Sequence, residues 1–556
     1  MQEFKEANTQ PSQPEAPTPK SKGGRLLRWL AYITIICLLF LGGIFTGVYL
    51  GLGRSSAGLG KLGTIYGLIE RYYVDSVDFD SLQEQALPLI LSQLDPHSVY
   101  LNAEANRQET EGLEGSFAGI GVQFNTLLDT VVVVRVIEGG PSERAGLQPG
   151  DRILKAGSTN LVKDSITTEE IMKALKGPED TVVRLLIKRG AKTFESAVVR
   201  GAVPVSSVDA AYMIRPHVLY VRLNKWGAQT PQEFQQAWAD HSAQGIERIL
   251  IDLRDNGGGY LQAATTLLSE FLDKGNLLVY NQGAHYPREN FTSPRTGRLR
   301  QTPVTVLVNE NSASASEIFS GAMQDLDRAL IVGRRTFGKG LVQVPFTLSD
   351  SSVLRLTVAR YYTPSGRSIQ KSYAKGLEAY AEDIEERYLH GELFSADSVS
   401  RPDTTRYYTR MGRVVYGGGG ITPDIFVPRD STGLNAYYVR LMRSGTLMRF
   451  AFSYADTHRT ELLAYKTASA LDKHLQSIGD QLVSSYAVYA QRYGVPQRPG
   501  MLLECAPLLR RDLIALIADL IGGDRNLFYE LRNERDPEVI KALEILESPD
   551  WKPKKS

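Results

Sequence analysis

Three short segments carry residues whose types and spacing suit nucleophilic chemistry. Ser312-Ala313-Ser314-Ala315-Ser316-Glu317 follows the β-branched run Val304 to Val308 and precedes Ile318, Phe319, Ala322, Met323 and Leu326, which recur at helical spacing. A serine at such a strand-to-helix junction sits at the positive end of a helix dipole, beside N–H groups with no partner inside the helix. Those groups can hold the oxyanion formed when a hydroxyl adds to a carbonyl. Serines that merely cap a helix are the plainer reading. Gly338-Lys339-Gly340 follows the run Ala329 to Val332. A lysine there is a surface cation unless burial lowers its pKa, when its neutral amine can activate a nearby hydroxyl. Asp252-Leu253-Arg254-Asp255-Asn256-Gly257-Gly258-Gly259 follows Ile249-Leu250-Ile251. Consecutive glycines let the chain turn sharply and bring an N–H close to a ligand. A simple turn, or a phosphate site, is the competing reading.

Other chemistries have less support. Gly333 to Lys339 matches the start of a P-loop, but Gly340 stands where the magnesium-binding hydroxyl belongs. The seven histidines, His97, His217, His241, His285, His390, His458 and His474, are scattered, with no His-Glu-x-x-His pair and no Gly-x-Ser-x-Gly elbow. A Ser-His-Asp triad stays open, because triads assemble in space. Basic and acidic residues nearly cancel, 63 against 62, so no global field recruits nucleic acid. The two cysteines, Cys37 and Cys505, offer neither a CxxC site nor a convincing disulfide. No cofactor and no metal is expected.

The elements that must position these residues follow from periodicity. Residues 1–24 are rich in Pro, Gln, Glu, Lys and Ser and read as a disordered tail. From Trp29 to Leu52 no charge appears, enough for a transmembrane helix within 25–52. Lys20, Lys22, Arg25 and Arg28 precede it, which predicts a single-pass anchor in the cytoplasmic membrane with the remainder on the extracytoplasmic, periplasmic side. A cleaved signal peptide is the competing reading. Residues 55–111 read as helical. A strand-rich stretch follows, with Val131 to Val136, a short helix Thr168 to Leu175 and a closing strand Thr181 to Lys188. From Val218 to about Pro428, strands alternate with helices, including one from Tyr260 to Leu272, in an α/β layer whose two turns sit at strand carboxy ends. The tail reads as helical: Leu513, Leu516, Ile517 and Leu520 share one face, and Asp536-Pro537 starts a last helix with Val539, Ile540 and Leu543 on one side.

In this order the motifs resemble the carboxy-terminal processing proteases, also called tail-specific proteases, over roughly residues 60–430. Gly119-Ile120-Gly121-Val122 and Pro149-Gly150-Asp151-Arg152-Ile153 resemble that family's PDZ domain; the glycine turn, the serine segment and Gly338-Lys339-Gly340 resemble its active-site segments, and Tyr361 to Gln370 a further signature. The resemblance implies a multidomain α+β protein. After the tail and anchor come a helical part of the protease at 55–111, an inserted PDZ domain at 112–200, an α/β serine protease core at 201–430 and a helical module at 431–556. It implies Ser314 as nucleophile, Lys339 as general base and Gln343 as its support. The oxyanion hole is then formed by the N–H groups of Ala315 and Gly258. Exposed N–H groups of Ile120, Gly121 and Val122 are expected to grip the terminal carboxylate of a substrate tail added as a strand. Gly257 departs from the family's usual proline. Self-association or an adaptor contact is the partner reading for the helical module, with packing its plain explanation. A non-catalytic PDZ scaffold and an acyl hydrolase acting on non-peptide substrates are the rival classes.

Overall fold

The computed structural model describes residues 59–549 except 128, 164–165, 402, 466 and 523–524. The expected tail and anchor, 1–24 and 25–52, lie outside the described residues. Among the described residues, no helix is long and apolar enough to cross a membrane. The chain divides into two units at Leu87/Pro88. In the first, the helix Leu59–Tyr72 precedes the start of Phe79–Leu91, and the rings of Tyr66 and Phe79 stand 5.9 Å apart.

The second unit is built on a six-stranded sheet in the spatial order Val208–Arg215, Val218–Leu223, Arg248–Asp252, Val304–Val308, Leu330–Gly333, Ile425–Phe426. The first two strands form an antiparallel hairpin, and every later pairing is parallel. Val218–Leu223 and Val304–Val308 are buried throughout, as continuous apolar runs in a sheet covered on both faces must be. One face packs on the helices Leu261–Phe271 and Ala315–Asp325, through Ala264, Leu267, Leu268, Phe319, Ala322 and Met323.

The other face holds a departure from the sequence reading. Tyr220, Leu250, Leu307 and Val332 pack against Val539, Ala542, Leu543 and Leu546 of the last helix, Pro537–Glu547. That helix therefore completes the core of the sheet instead of belonging wholly to the helical module expected at 431–556. Each leucine buried there contributes about 1.5–3 kcal/mol of transfer free energy. Asp536 caps the helix by accepting the N–H groups of Glu538 and Val539. Ile540, expected on the inner face, is 39% exposed, because the buried stripe runs through 539, 542, 543 and 546.

The inserted domain is clasped at its root by the ladder Ser116–Gly119 with Gly201–Pro204. Its sheet runs Val122–Leu127, Thr130–Val136, Arg152–Ala156, Val182–Arg189, Lys192–Val199, which leaves Val122–Leu127 on an open edge. The short helix is Thr168–Leu175, and Thr167 and Glu170 form its capping box. Val182–Arg189 is not the closing strand: Lys192–Val199 pairs with it along its length, hidden from sequence by its mostly exposed residues.

The helices Ala436–Arg443, Thr446–Thr457, Gly479–Arg492 and Pro499–Gly522 build a separate apolar core around Leu441, Phe452, Tyr486, Leu509 and Ile517. Cys505, a free thiol, is buried in it. Val132 and Val134 of the inserted sheet join this core. Arg135–Asp519 at 2.7 Å and Arg152–Asp456 at 2.9 Å rim the contact.

Candidate active site

The three chemical segments leave the carboxy ends of three neighbouring parallel strands. The glycine turn follows Arg248–Asp252, the serine segment follows Val304–Val308, and the lysine loop follows Leu330–Gly333. Strand adjacency in the sheet is what brings segments so far apart in sequence together.

The three serines have different roles. Ser312 donates its hydroxyl to Leu253 O at 2.8 Å and accepts Asn309 N–H at 2.9 Å. Ser316 donates to Asn256 O at 3.0 Å and accepts the Trp226 indole N–H at 2.9 Å. Both are fully buried and stitch the serine segment to the glycine turn. The Ser314 hydroxyl has no hydrogen-bond partner among the described residues. Ser314 holds φ 56° and ψ −114°, a strained conformation for a residue with a Cβ, and opens the helix Ala315–Asp325. It lines a cavity of about 960 Å³ together with Ala315, Gly259, Tyr260, Leu341 and Gln343. Phe291, Ile318 and Val342 add apolar wall, and Asn281 adds a buried carboxamide whose oxygen has no partner among the described residues.

The glycine turn presses against this serine. Gly258 has φ 105°, and a Cβ there would sit 2.7 Å from Ser314 Cβ and 3.2 Å from Ala315 N. No other residue fits. Its N–H, expected to face an oxyanion, donates instead to Asn256 Oδ1 at 3.0 Å. Asn256 is buried and anchored by Leu223 O at 2.9 Å, so its side chain takes the donor that the sequence reading gave to substrate. Among the described residues, the N–H groups of Ala315, Gly259 and the exposed Gly257 have no partner here. Gly257 is exposed with open space around it, so the missing proline leaves no void.

Glu317 and Tyr361 join the serine to the lysine. The fully buried Glu317 carboxylate accepts the N–H groups of Ser314 at 2.9 Å, Gly338 at 2.8 Å and Lys339 at 2.8 Å, and the Thr336 hydroxyl at 2.5 Å. The Tyr361 hydroxyl contacts the carbonyls of both Ser314, at 3.1 Å, and Lys339. Gln370 accepts Gly340 N–H at 2.7 Å and fixes the far side of the loop. The roles of Glu317 and Tyr361 went unread in sequence, although Ser314-x-x-Glu317 is itself a capping-box pattern.

Burial and the nearby Arg355 lower the Lys339 pKa, against the pull of Glu109, Glu317 and Asp95. Its side chain forms no ion pair and no hydrogen bond among the described residues, and in particular none to the Ser314 hydroxyl. Burial pushes the Glu317 carboxyl up to about 7 despite its four donors. Gln343 donates to Thr357 Oγ1 at 3.4 Å and not to Lys339. Among the described residues, no histidine bonds to Ser314. His97, pushed down to about 4 by burial and by the charge of Lys339, pairs with the Tyr380 hydroxyl at 2.9 Å.

In the inserted domain Ile120 and Gly121 are buried and Val122 is half-buried, where exposed groups were expected. The Ile120 side chain fills the domain core, and the carbonyls of Ile120 and Gly121 accept Ser142 N–H at 2.8 Å and Ile137 N–H at 3.0 Å. The N–H groups of Ile120 and Gly121 have no partner among the described residues. They stand beside the open edge strand Val122–Leu127.

Comparison with known proteins matches three segments of the chain. Residues 217–380 match peptidase family S41, residues 132–189 match the PDZ domain, and residues 437–523 match a family described only as of unknown function. A probable CtpA-like serine protease of Staphylococcus aureus is 31% identical over 375 residues, covering 65% of this chain and 74% of that one. The Staphylococcus epidermidis counterpart is 32% identical over 372 residues, with the same coverage of 65% and 74%. Among solved structures, a photosystem II D1 C-terminal processing protease aligns at 27% identity with a TM-score of 0.34, covering 65% of this chain and 86% of that one.

Proposed function

The chain belongs to the CtpA-like serine proteases of peptidase family S41, and from that premise we propose that it cleaves protein chains chosen by their carboxy-terminal tails, with Ser314 as nucleophile and Lys339 as general base. It is a serine-type peptidase carrying a PDZ domain. The observation that carries the assignment is the division of labour among the serines: Ser312 and Ser316 are committed to the fold, and Ser314 alone offers a free hydroxyl, in a strained turn, on the cavity wall.

In the proposed reaction, neutral Lys339 takes the proton of Ser314 as its Oγ bonds to the peptide carbonyl carbon. The carbonyl electrons move to oxygen, which the N–H groups of Ala315 and Gly259 receive. Gly258 joins them only if its bond to Asn256 opens. Collapse breaks the C–N bond, and the Lys339 ammonium returns its proton to the leaving amine. Water then repeats the sequence on the acyl-enzyme, giving a carboxylate product and free Ser314. Glu317 and Tyr361 hold the backbones of both residues, and rotation of the Lys339 side chain is proposed to bring its amine to the hydroxyl. Gln343 supports the amine once it leaves its long contact with Thr357.

The PDZ domain is proposed to take the tail by strand addition along Val122–Leu127, with the terminal carboxylate on the N–H groups of Ile120 and Gly121. The apolar wall of the cavity suits an apolar side chain at the scissile residue. The uncharged run Trp29 to Leu52 supports a membrane anchor with the catalytic unit beyond the membrane, and exported proteins as substrates. Labelling with a fluorophosphonate tests the nucleophile: the adduct is expected on Ser314, with labelling much slower in Lys339→Ala. An adduct on any other residue contradicts the assignment.

A further inference from the structure

The last helix reaches the catalytic centre through two arginines. Glu538, in its first turn, is 7% exposed. Arg254 donates to Glu538 Oε2 at 3.2 Å and to Asp536 Oδ2 at 2.7 Å. Arg334 donates to Glu538 Oε1 and, at 2.8 Å, to Glu310 Oε2. All these groups are largely withdrawn from water, where charge pairs hold their geometry most firmly.

The two arginines stand at the roots of two catalytic loops. Arg254 opens the glycine turn: its N–H and guanidinium bind the Asp252 carboxylate, at 2.9 Å and 2.7 Å in the shortest contacts. Two residues on, Asn256 sets Gly258 against Ser314. Arg334 follows the strand Leu330–Gly333 and begins the loop in which Thr336, Gly338 and Lys339 bind Glu317. One carboxylate from the last helix therefore spans the loop that carries the oxyanion donor Gly259 and the loop that carries the base. Packing of Val539, Ala542, Leu543 and Leu546 under the sheet fixes where that carboxylate stands.

We infer that Glu538 is a positioning residue for the peptidase reaction, holding the Arg254 turn and the Arg334 loop in register so that Gly259 and Lys339 converge on Ser314. The inference rests on the Ser314–Lys339 reading above. A misplacement of about 1 Å between reacting groups costs on the order of 10²-fold in rate, so the effect belongs in kcat. Glu538→Gln keeps the shape and removes the charge. Arg334 then retains Glu310, and Arg254 retains Asp252 and Asp536, so the fold keeps most of its compensation.

The test uses the full chain and a protein substrate ending in a free apolar tail, comparing wild type, Glu538→Gln, Glu538→Asp, Arg334→Lys and Ser314→Ala. For Glu538→Gln, kcat is expected to fall about tenfold to a hundredfold, with KM and tail-peptide affinity within about twofold and a cooperative melt. Glu538→Asp recovers part of kcat, and Arg334→Lys, which keeps the charge and loses the fork, also lowers it. An unchanged kcat in both Glu538→Gln and Arg334→Lys overturns the inference, whatever the melting temperature does. So does a loss of kcat matched by an equal loss of tail affinity, which is general unfolding. Cleavage that survives Ser314→Ala overturns the underlying site reading instead, and the two failures are told apart by that control.

Discussion

The backbone N–H groups of Ser314 and Lys339 donate to one and the same oxygen, Oε2 of Glu317, at 2.9 and 2.8 Å. A single buried carboxylate thus sets the separation of the two residues assigned to the chemistry, and the Tyr361 hydroxyl closes the ring through their carbonyls. Glu317→Gln leaves one acceptor oxygen for four donors. An unsatisfied buried donor costs about 1–3 kcal/mol. The variant is expected to unfold at lower denaturant and to lose at least about tenfold in kcat/KM, since 1.4 kcal/mol is a factor of ten. Denaturant titration alongside steady-state rates checks both.

The pH dependence has two opposed parts. Lys339 has a folded pKa below its ordinary 10.5. Between the two values the unfolded chain binds more protons, so stability rises with pH through that window, and below it the buried ammonium is a standing destabilisation. Glu317 has a folded value of about 7 against an ordinary 4.5, so its contribution falls as pH rises from 4.5 to about 7. Activity needs neutral Lys339, and kcat/KM is expected to rise with pH along a limb whose midpoint lies below 10.5. Lys339→Met is expected to be inactive and at least as stable as wild type near pH 7. Melts across pH and a pH–rate profile measure these shifts.

Gly258→Ala is expected to reduce cleavage by at least about a hundredfold, because its Cβ meets Ser314 Cβ at 2.7 Å and the turn holds φ 105°. Gly257→Ala, with open space around it, is expected to change activity by less than about threefold, a surface-scale effect. Tail-peptide affinity should be unchanged in both. Comparing the pair under identical conditions isolates the close approach from general loss of glycine freedom.

How far the sequence disclosed these features depended on the range of the interaction. The three motifs, the helix Thr168–Leu175 and the strand Val304–Val308 were legible because glycine spacing, capping residues and apolar runs act within a few neighbours. The use of Gly258 N–H was not, since Asn256 also has the local reach to claim it and only Leu223, across the sheet, decides its orientation. The place of the last helix was hidden for the same reason. Val539 and Leu543 announce a buried face, but the partners Leu250, Leu307 and Val332 belong to distant strands. Lys192–Val199 carries no alternating apolar pattern and was missed outright.

Val132 and Val134 tie the PDZ sheet to the helical module, and Arg135–Asp519 closes the contact. Arg135→Glu places like charges at that rim and is expected to loosen the domain while leaving its own fold intact. Hydrogen exchange should rise in Thr130–Val136 and in Pro499–Gly522, and cleavage of tailed substrate should change while cleavage of a short untailed peptide does not. Equal exchange in both segments would show that the contact does not restrain the domain.

The most direct test of the Ser–Lys peptidase reading is cleavage of a protein with a free apolar carboxy terminus by wild type, Ser314→Ala and Lys339→Ala, with the same protein amidated at its end as the paired substrate. The expected result is cleavage by wild type alone, strong for the free tail and weak for the amidated one, with both variants still binding the free tail. Cleavage by Lys339→Ala at the wild-type rate, or equal cutting of the two tails, would contradict it.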